Sequence, residues 1–285
     1  MNVELVETWT SDGVRLHGAL QLPAAVVDES TRVDAMLLSS GVGGNFYGSS
    51  LMASLSDMCT TSGIAALHIN TRGHDTVNTV ATRNGQRCEG AAFEIVDDCR
   101  YDFKAWIDFI VARGFQRVGL LGHSLGAIKA LYSQAHEPHD AVTALTAVSP
   151  PRLRHEEFRL GDQSQAFQES FESARALADS GQAVALFRAT FPFPMIISAA
   201  TYLDKYGPES RYDFTSFADR VRVPVLFSYG ELELQDGRPE FEGLADMVPS
   251  LNWSVPPRVI TIPGANHFYT DCFPQLSQAV KRFVM

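Results

Sequence analysis

The sequence predicts an α/β fold, a mostly parallel central sheet flanked on both faces by helices and carrying one helical insertion. Three observations predict it. Short apolar runs recur at 35–38, 64–69, 118–121, 144–148, 223–227 and 259–262, each brief enough to be a strand buried on both faces. Helix-length segments separate most of these runs, and such alternation marks a parallel sheet with crossover helices. The rhythm then breaks between Pro151 and about Tyr212, where no strand-like run occurs.

The elements follow in order. Residues 3–22 read as two strands joined at Ser11-Asp12-Gly13, because Val14, Leu16 and Gly18 alternate with Arg15 and His17 after a turn-forming Asp-Gly. Between Glu94 and Gly114, the side chains of Val96, Phe103, Trp106, Ile107, Ile110 and Val111 fall on one helical stripe, and Gly114 is a natural stop. The C-terminal segment repeats the pattern with Leu276, Ala279, Val280 and Phe283. In the irregular stretch, 167–179 and 183–190 read as helical patches. Residues 151–215 are therefore expected to form an inserted helical lid on a core made of 1–150 and 216–285. The insertion carries Phe158, Phe167, Phe171, Phe187, Phe191, Phe193, Tyr202 and Tyr206, enough aromatic surface to line an apolar pocket.

The bulk properties narrow the function. Apolar residues make up 45% of the 285 and charged residues 20%, an ordinary globular balance. A formal net charge of −10 argues against binding a phosphate backbone, which favours a basic face. Cys59, Cys88, Cys99 and Cys272 show neither C-x-x-C nor other metal-like spacing, so reduced thiols are expected. The first residues lack a basic stretch followed by an apolar one, and no window approaches a membrane span. A cytoplasmic protein with no membrane and no nucleic-acid partner is predicted; oligomeric state has no signature.

The sharpest motif is Gly122-His123-Ser124-Leu125-Gly126, directly after the run 118–121 and directly before 127–132, which reads as helix. The letters alone are a weak signal; a strand before and a helix after make them strong. Such a turn is tight enough to need small residues at both glycine positions, and it holds the serine hydroxyl exposed at the sheet edge. The new helix points its N-terminal amides at any negative charge formed there. Serine is a poor nucleophile at neutral pH, so an imidazole must take its proton and a carboxylate must orient that imidazole. His267, in Gly264-Ala265-Asn266-His267-Phe268, follows the last apolar run and is the candidate base. The run 223–227 leads into Ser228-Tyr229-Gly230-Glu231-Leu232-Glu233, and with Asp236 this loop offers three carboxylates. The chain order serine, acid, histidine is satisfied.

On these motifs the sequence resembles the α/β-hydrolase family over essentially its whole length, with the lid between the sixth and seventh sheet strands as in many of its esterases. The resemblance implies the acid three residues after the glycine ending the seventh strand, which is Glu233; aspartate is more usual there, and Glu231 stands as the alternative acid. No carboxylate follows 144–148 before Glu156, which argues against the family's other acid position. An oxyanion hole needs two backbone donors. The amide of Leu125 is one, and the loop Ser39-Ser40-Gly41-Val42-Gly43-Gly44 is similar to the family's His-Gly-x-Gly loop, which implies Val42 as the other. Ser40 replaces that loop's histidine. Asn70-Thr71-Arg72-Gly73-His74-Asp75 resembles the family's Asp-x-Arg-Gly-His-Gly segment and implies a structural loop near the pocket mouth.

Other histidines read as framework. His68 lies in an apolar strand, His123 belongs to the elbow, and His136 with His139 has no third ligand to make a metal site. The expected protein is a serine hydrolase that cleaves a carboxylic ester of a small acyl substrate through an acyl-enzyme, requiring no cofactor and no metal. The same fold and triad can serve C–C, lactone or thioester cleavage or acyl transfer. A ligand receptor without turnover is the alternative from another class.

Overall fold

The computed structural model describes residues 3–24 and 31–285. Residues 1, 2 and 25–30, which belong to the expected core segment 1–150, lie outside the described residues. In chain order the elements begin with strands β1 (Val3–Trp9), β2 (Arg15–Gln21) and β3 (Ala35–Ser39), helix α1 (Ser50–Thr61), and β4 (Ala65–Ile69). A hairpin of β5 (Asn78–Thr82) and β6 (Gly85–Glu89) precedes α2 (Cys99–Ala112), β7 (Val118–His123), α3 (Leu125–His136) and β8 (Val142–Val148). After β8 come α4 (His155–Phe158), α5 (Ser164–Asp179), β9 (Leu186–Ala189), β10 (Met195–Ser198) and α6 (Ala199–Tyr206). The chain then returns with β11 (Val225–Gly230), α7 (Glu231–Gln235), α8 (Leu244–Ser250), β12 (Arg258–Ile262) and α9 (Phe273–Val284).

Eight strands form one sheet in the spatial order β1-β2-β4-β3-β7-β8-β11-β12. Only β1 with β2 and β2 with β4 pair antiparallel; the other neighbours are parallel. Parallel strands must be covered on both faces, and the side chains of β3 show how. Met36 and Leu38 pack with Leu51, Leu55, Leu276 and Val280, from α1 and α9, while Leu37 packs on the opposite face with Phe103, Trp106, Ile110 and Ile128, from α2 and α3. The expected stripe is present on α2: Phe103, Trp106, Ile107 and Ile110 are buried, with Val96 buried in the turn before it. No helix among the described residues is long and apolar enough to cross a membrane.

Between β8 and β11 the structure departs from an all-helical insertion. Helix α5 includes the expected patch at 167–179, but the patch at 183–190 is not a helix: β9 pairs antiparallel with β10, from Met195 opposite Ala189 to Ser198 opposite Leu186. Eight residues are too few to hold a helix by local preference. The hairpin instead buries Ala189 and Ile197 and sets Phe187 edge-on to Tyr202, 5.5 Å between ring centroids.

A buried charge cluster joins the inserted segment to the core. Glu94, before α2, accepts from Lys205 of α6 at 2.9 Å and from Lys129 of α3 at 2.5 Å, all three side chains being nearly inaccessible. Burial pushes the Glu94 carboxyl up, but the two ammonium groups outweigh it and hold the pKa at about 2. Burial likewise lowers the Lys205 pKa.

Candidate active site

The parallel strands end together at one edge of the sheet. Ser39 lies opposite Gly122, His123 opposite Val148, Ser228 opposite Val148, and Gly230 opposite Ile262. The loops after β3, β7, β8, β11 and β12 therefore gather at this edge, where ligands enter open α/β sheets.

After β7 the chain turns so sharply that Ser124 adopts φ 55° and ψ −126°, a left-handed conformation that costs a non-glycine residue of order 1–3 kcal/mol and survives only where its surroundings enforce it. Both flanking glycines are demanded by space. A β-carbon at Gly122 would stand 2.2 Å from the Gly126 carbonyl oxygen, and one at Gly126 would stand 2.4 Å from the Ser40 carbonyl oxygen. The loop after β3 thus lies directly against the elbow, and a β-carbon on Gly41 would meet Ser124 Cβ at 3.0 Å. Val42 and Leu125 both border the cavity at this point, and neither amide donates to another backbone carbonyl in the described turns and loops.

Several contacts fix that loop. Ser40 Oγ and His68 Nε2 are 3.1 Å apart, so the serine standing at the resembled loop's histidine position is tied to a histidine from the neighbouring strand. Burial lowers the His68 pKa to about 4, which keeps it neutral. The Asp75 amide donates to Gly43 at 3.0 Å, and Asn70 Oδ1 accepts the Phe46 amide at 2.9 Å. Within the same segment Arg72 is buried and forks onto Asp102 and Asp12 at 2.8–3.0 Å. The loop 70–75 is thus a brace for the loop after β3.

Glu233 sits in the first turn of α7, buried, with Oε2 accepting the Ser149 hydroxyl at 2.6 Å and the Gly230 amide at 3.1 Å. Its other oxygen, Oε1, forms a short hydrogen bond with His267 Nδ1. The Tyr269 hydroxyl lies 3.1 Å from both Ser149 Oγ and Ser228 Oγ, extending the polar network behind the carboxylate. Ser149, at φ 48°, immediately follows β8, the place where the sequence offers no carboxylate. Glu231, the alternative acid, does not reach the imidazole; its Oε2 accepts the Gly264 amide at 2.9 Å. His123 Nε2–H donates to the His267 carbonyl at 2.8 Å and so holds the backbone of that residue. Burial, reinforced by the nearby His267 ring, lowers the His123 pKa to about 3, leaving it neutral.

Ser124 and His267 both line one cavity of about 830 Å³. No hydrogen bond joins them; such contacts often tighten only with substrate bound. The cavity is mainly apolar. Leu153, Phe158, Phe193 and Tyr206 reach it from the inserted segment and its entry. Of the eight aromatics expected to line a pocket, Phe158, Phe193 and Tyr206 line the cavity and the other five do not. The rest pack mostly on one another, as in Phe167 with Phe191 at 5.1 Å and Phe187 with Tyr202 at 5.5 Å. The sequence reading overlooked Arg238, Glu240 and Phe241, which line the cavity from the irregular stretch between α7 and α8, where no periodicity marks them.

The chain matches the model of the alpha/beta hydrolase family over residues 37–284, and it belongs to that family. Solved structures share the fold at low identity. Est1E from Butyrivibrio proteoclasticus, determined with ferulic acid bound, is 18% identical with a TM-score of 0.67, covering 97% of this chain and 96% of that one. The alpha/beta hydrolase GrgF from a Penicillium species is 15% identical with a TM-score of 0.70, covering 99% and 96%. An esterase domain from Rhodothermus marinus is 16% identical with a TM-score of 0.60, covering 99% and 98%. No curated protein matches the sequence.

Proposed function

We propose that this chain is a serine esterase acting on a small carboxylic ester. The observation that carries the reading is the buried Glu233, bonded to His267 Nδ1 at the rim of the cavity that also exposes the strained Ser124. With Nδ1 committed to the carboxylate, Nε2 is free to act as base. Ser124 Oγ attacks the ester carbonyl carbon while its proton passes to Nε2. The tetrahedral oxyanion is held by the amides of Leu125 and Val42, and it collapses as the imidazolium returns the proton to the departing alkoxide. Water then attacks the acyl-enzyme by the same route, releasing the acid and restoring the serine hydroxyl. Glu233 orients the imidazole and stabilises its transient positive charge. No cofactor or metal enters these steps. Residues 151–215 serve as the lid over a core of 1–150 and 216–285. The four unpaired cysteines suit a reducing cytoplasm.

The fold's esterase relative and the bound ferulic acid of Est1E support an ester as the scissile group. The test is turnover of p-nitrophenyl acetate and butyrate by the wild type and by Ser124→Ala, with loss of about 10⁴-fold or more expected. Fluorophosphonate is expected to label Ser124. Turnover undiminished in Ser124→Ala would remove the reading, and thermal shifts by esters with no product after prolonged incubation would favour a receptor.

A further inference from the structure

Two carboxylates line the cavity, Asp271, which is exposed, and Glu240, which is buried and has no hydrogen bond to another residue. The residue is 5% exposed, its Oε2 is buried without a partner, and beyond its own backbone amide the carboxylate meets Arg238, with Oε1 3.8 Å from Nη1. That spacing is an ion-pair distance, beyond hydrogen-bond range. Arg238 is itself turned to Asp236, which accepts its Nε–H at 3.1 Å. The backbone around Glu240 is well held, since its carbonyl accepts the Arg152 amide at 2.8 Å. Next along the chain, the Phe241 ring stands 5.4 Å from the His267 ring, which puts this stretch of wall beside the base. A buried carboxylate oxygen left without a partner is costly. Asp271 is open to solvent, and the neighbouring carboxylates are satisfied: Glu233 by Ser149, Gly230 and His267, and Glu231 by Gly264.

We propose that Glu240 is the specificity-determining contact of the cavity and that it accepts a hydrogen bond from a hydroxyl group on an otherwise apolar ester substrate. This rests on the esterase reading and adds the substrate class to it. The chemistry selects a hydroxyl over other groups. An ether or carbonyl has no proton to give. An ammonium pairs only with the ionised carboxylate and would share the site with the Arg238 guanidinium. A hydroxyl both donates and accepts, so it satisfies the group in either protonation state; burial raises the Glu240 pKa, which makes that tolerance useful. The remaining wall, including Leu153, Phe158 and Phe241, suits the apolar skeleton.

The test measures binding by calorimetry on Ser124→Ala. The probes are ethyl hexanoate with its 6-hydroxy and 6-ammonio derivatives, methyl 3-phenylpropanoate with its para-hydroxyphenyl form, and butyl acetate with 4-hydroxybutyl acetate. At least one hydroxyl ester is expected to bind about tenfold more tightly than its parent. In the Glu240→Leu background that advantage disappears, whereas Glu240→Gln, whose amide oxygen still accepts, retains it; melting curves check that each variant is folded. If Glu240→Leu does not fold, the preference in the parent protein decides. The proposal is overturned if no hydroxyl ester outbinds its parent, if the advantage survives Glu240→Leu, or if the ammonio ester binds best. Because binding is read without turnover, the two readings fail separately. Hydroxyl preference with no wild-type hydrolysis of any ester refutes the esterase and leaves this contact standing; hydrolysis without hydroxyl preference does the reverse.

Discussion

Glu94 and Glu233 are both nearly inaccessible to solvent, yet their partners differ in kind. Glu94 faces two ammonium groups, Lys129 and Lys205, charges that exist whatever the protein is doing. Glu233 faces a serine hydroxyl, a backbone amide and an imidazole, with no ammonium or guanidinium among its hydrogen-bond partners. A buried carboxylate with permanent counter-charges joins segments together. In the proposed mechanism, one held by dipoles and an imidazole is prepared for a positive charge that appears only during reaction.

The largest effect that can break this contrast is on turnover. Glu233→Gln keeps the shape and removes the charge, and kcat toward p-nitrophenyl butyrate is expected to fall about 10⁴-fold, with the denaturation midpoint little changed. A loss below tenfold would mean that the charge is not used. Glu94→Gln should show the opposite pattern. It strands two buried lysines, and urea unfolding is expected to show a loss of about 3–5 kcal/mol, while the folded fraction still turns over substrate. Stability close to wild type would show that the cluster holds nothing together.

Acid sharpens the contrast further, because it reaches the two regions at different pH. His68 and His123 have folded pKa values depressed to about 4 and about 3, well below their unfolded values near 6.5. The unfolded chain therefore binds protons first, and their contribution, full above pH 6.5, is lost as pH falls toward 3–4. Glu94, depressed to about 2, begins to lose its contribution only below its unfolded value near 4.5. Between pH 6.5 and 4.5, unfolding free energy should fall with a slope of up to about 1.4 kcal/mol per pH unit for each histidine, and His68→Asn should flatten it. An unchanged slope would assign the acid sensitivity elsewhere.

Much of this arrangement was legible because it depends on short-range geometry. The elbow needs glycine on either side of Ser124, and an apolar strand must precede it, so motif and context occur within ten residues. Both faces of the parallel sheet are covered, which turns its strands into continuous apolar runs. Legibility ended where partners are distant. The alanines at 183, 185 and 189 suggest a helix locally, but pairing with Met195–Ser198 and the Phe187–Tyr202 contact override them. The β5–β6 hairpin turns at Arg83-Asn84, and Asn84-Gly85, a pair suited to tight turns that the sequence reading passed over, marks it to within one residue. Ser149 and Glu240 had none, since a hydroxyl behind an acid and a buried carboxylate oxygen without a partner acquire meaning only from residues far along the chain.

The Glu94 cluster also bears on how anything enters. Lys205 comes from the inserted segment and Lys129 from the helix that begins at the elbow, so pulling α6 off the core would part Lys205 from Glu94 and leave that buried anion one counter-charge instead of two. Phe193 and Phe268, by contrast, line the cavity while substantially exposed, and turning either ring would break no ion pair.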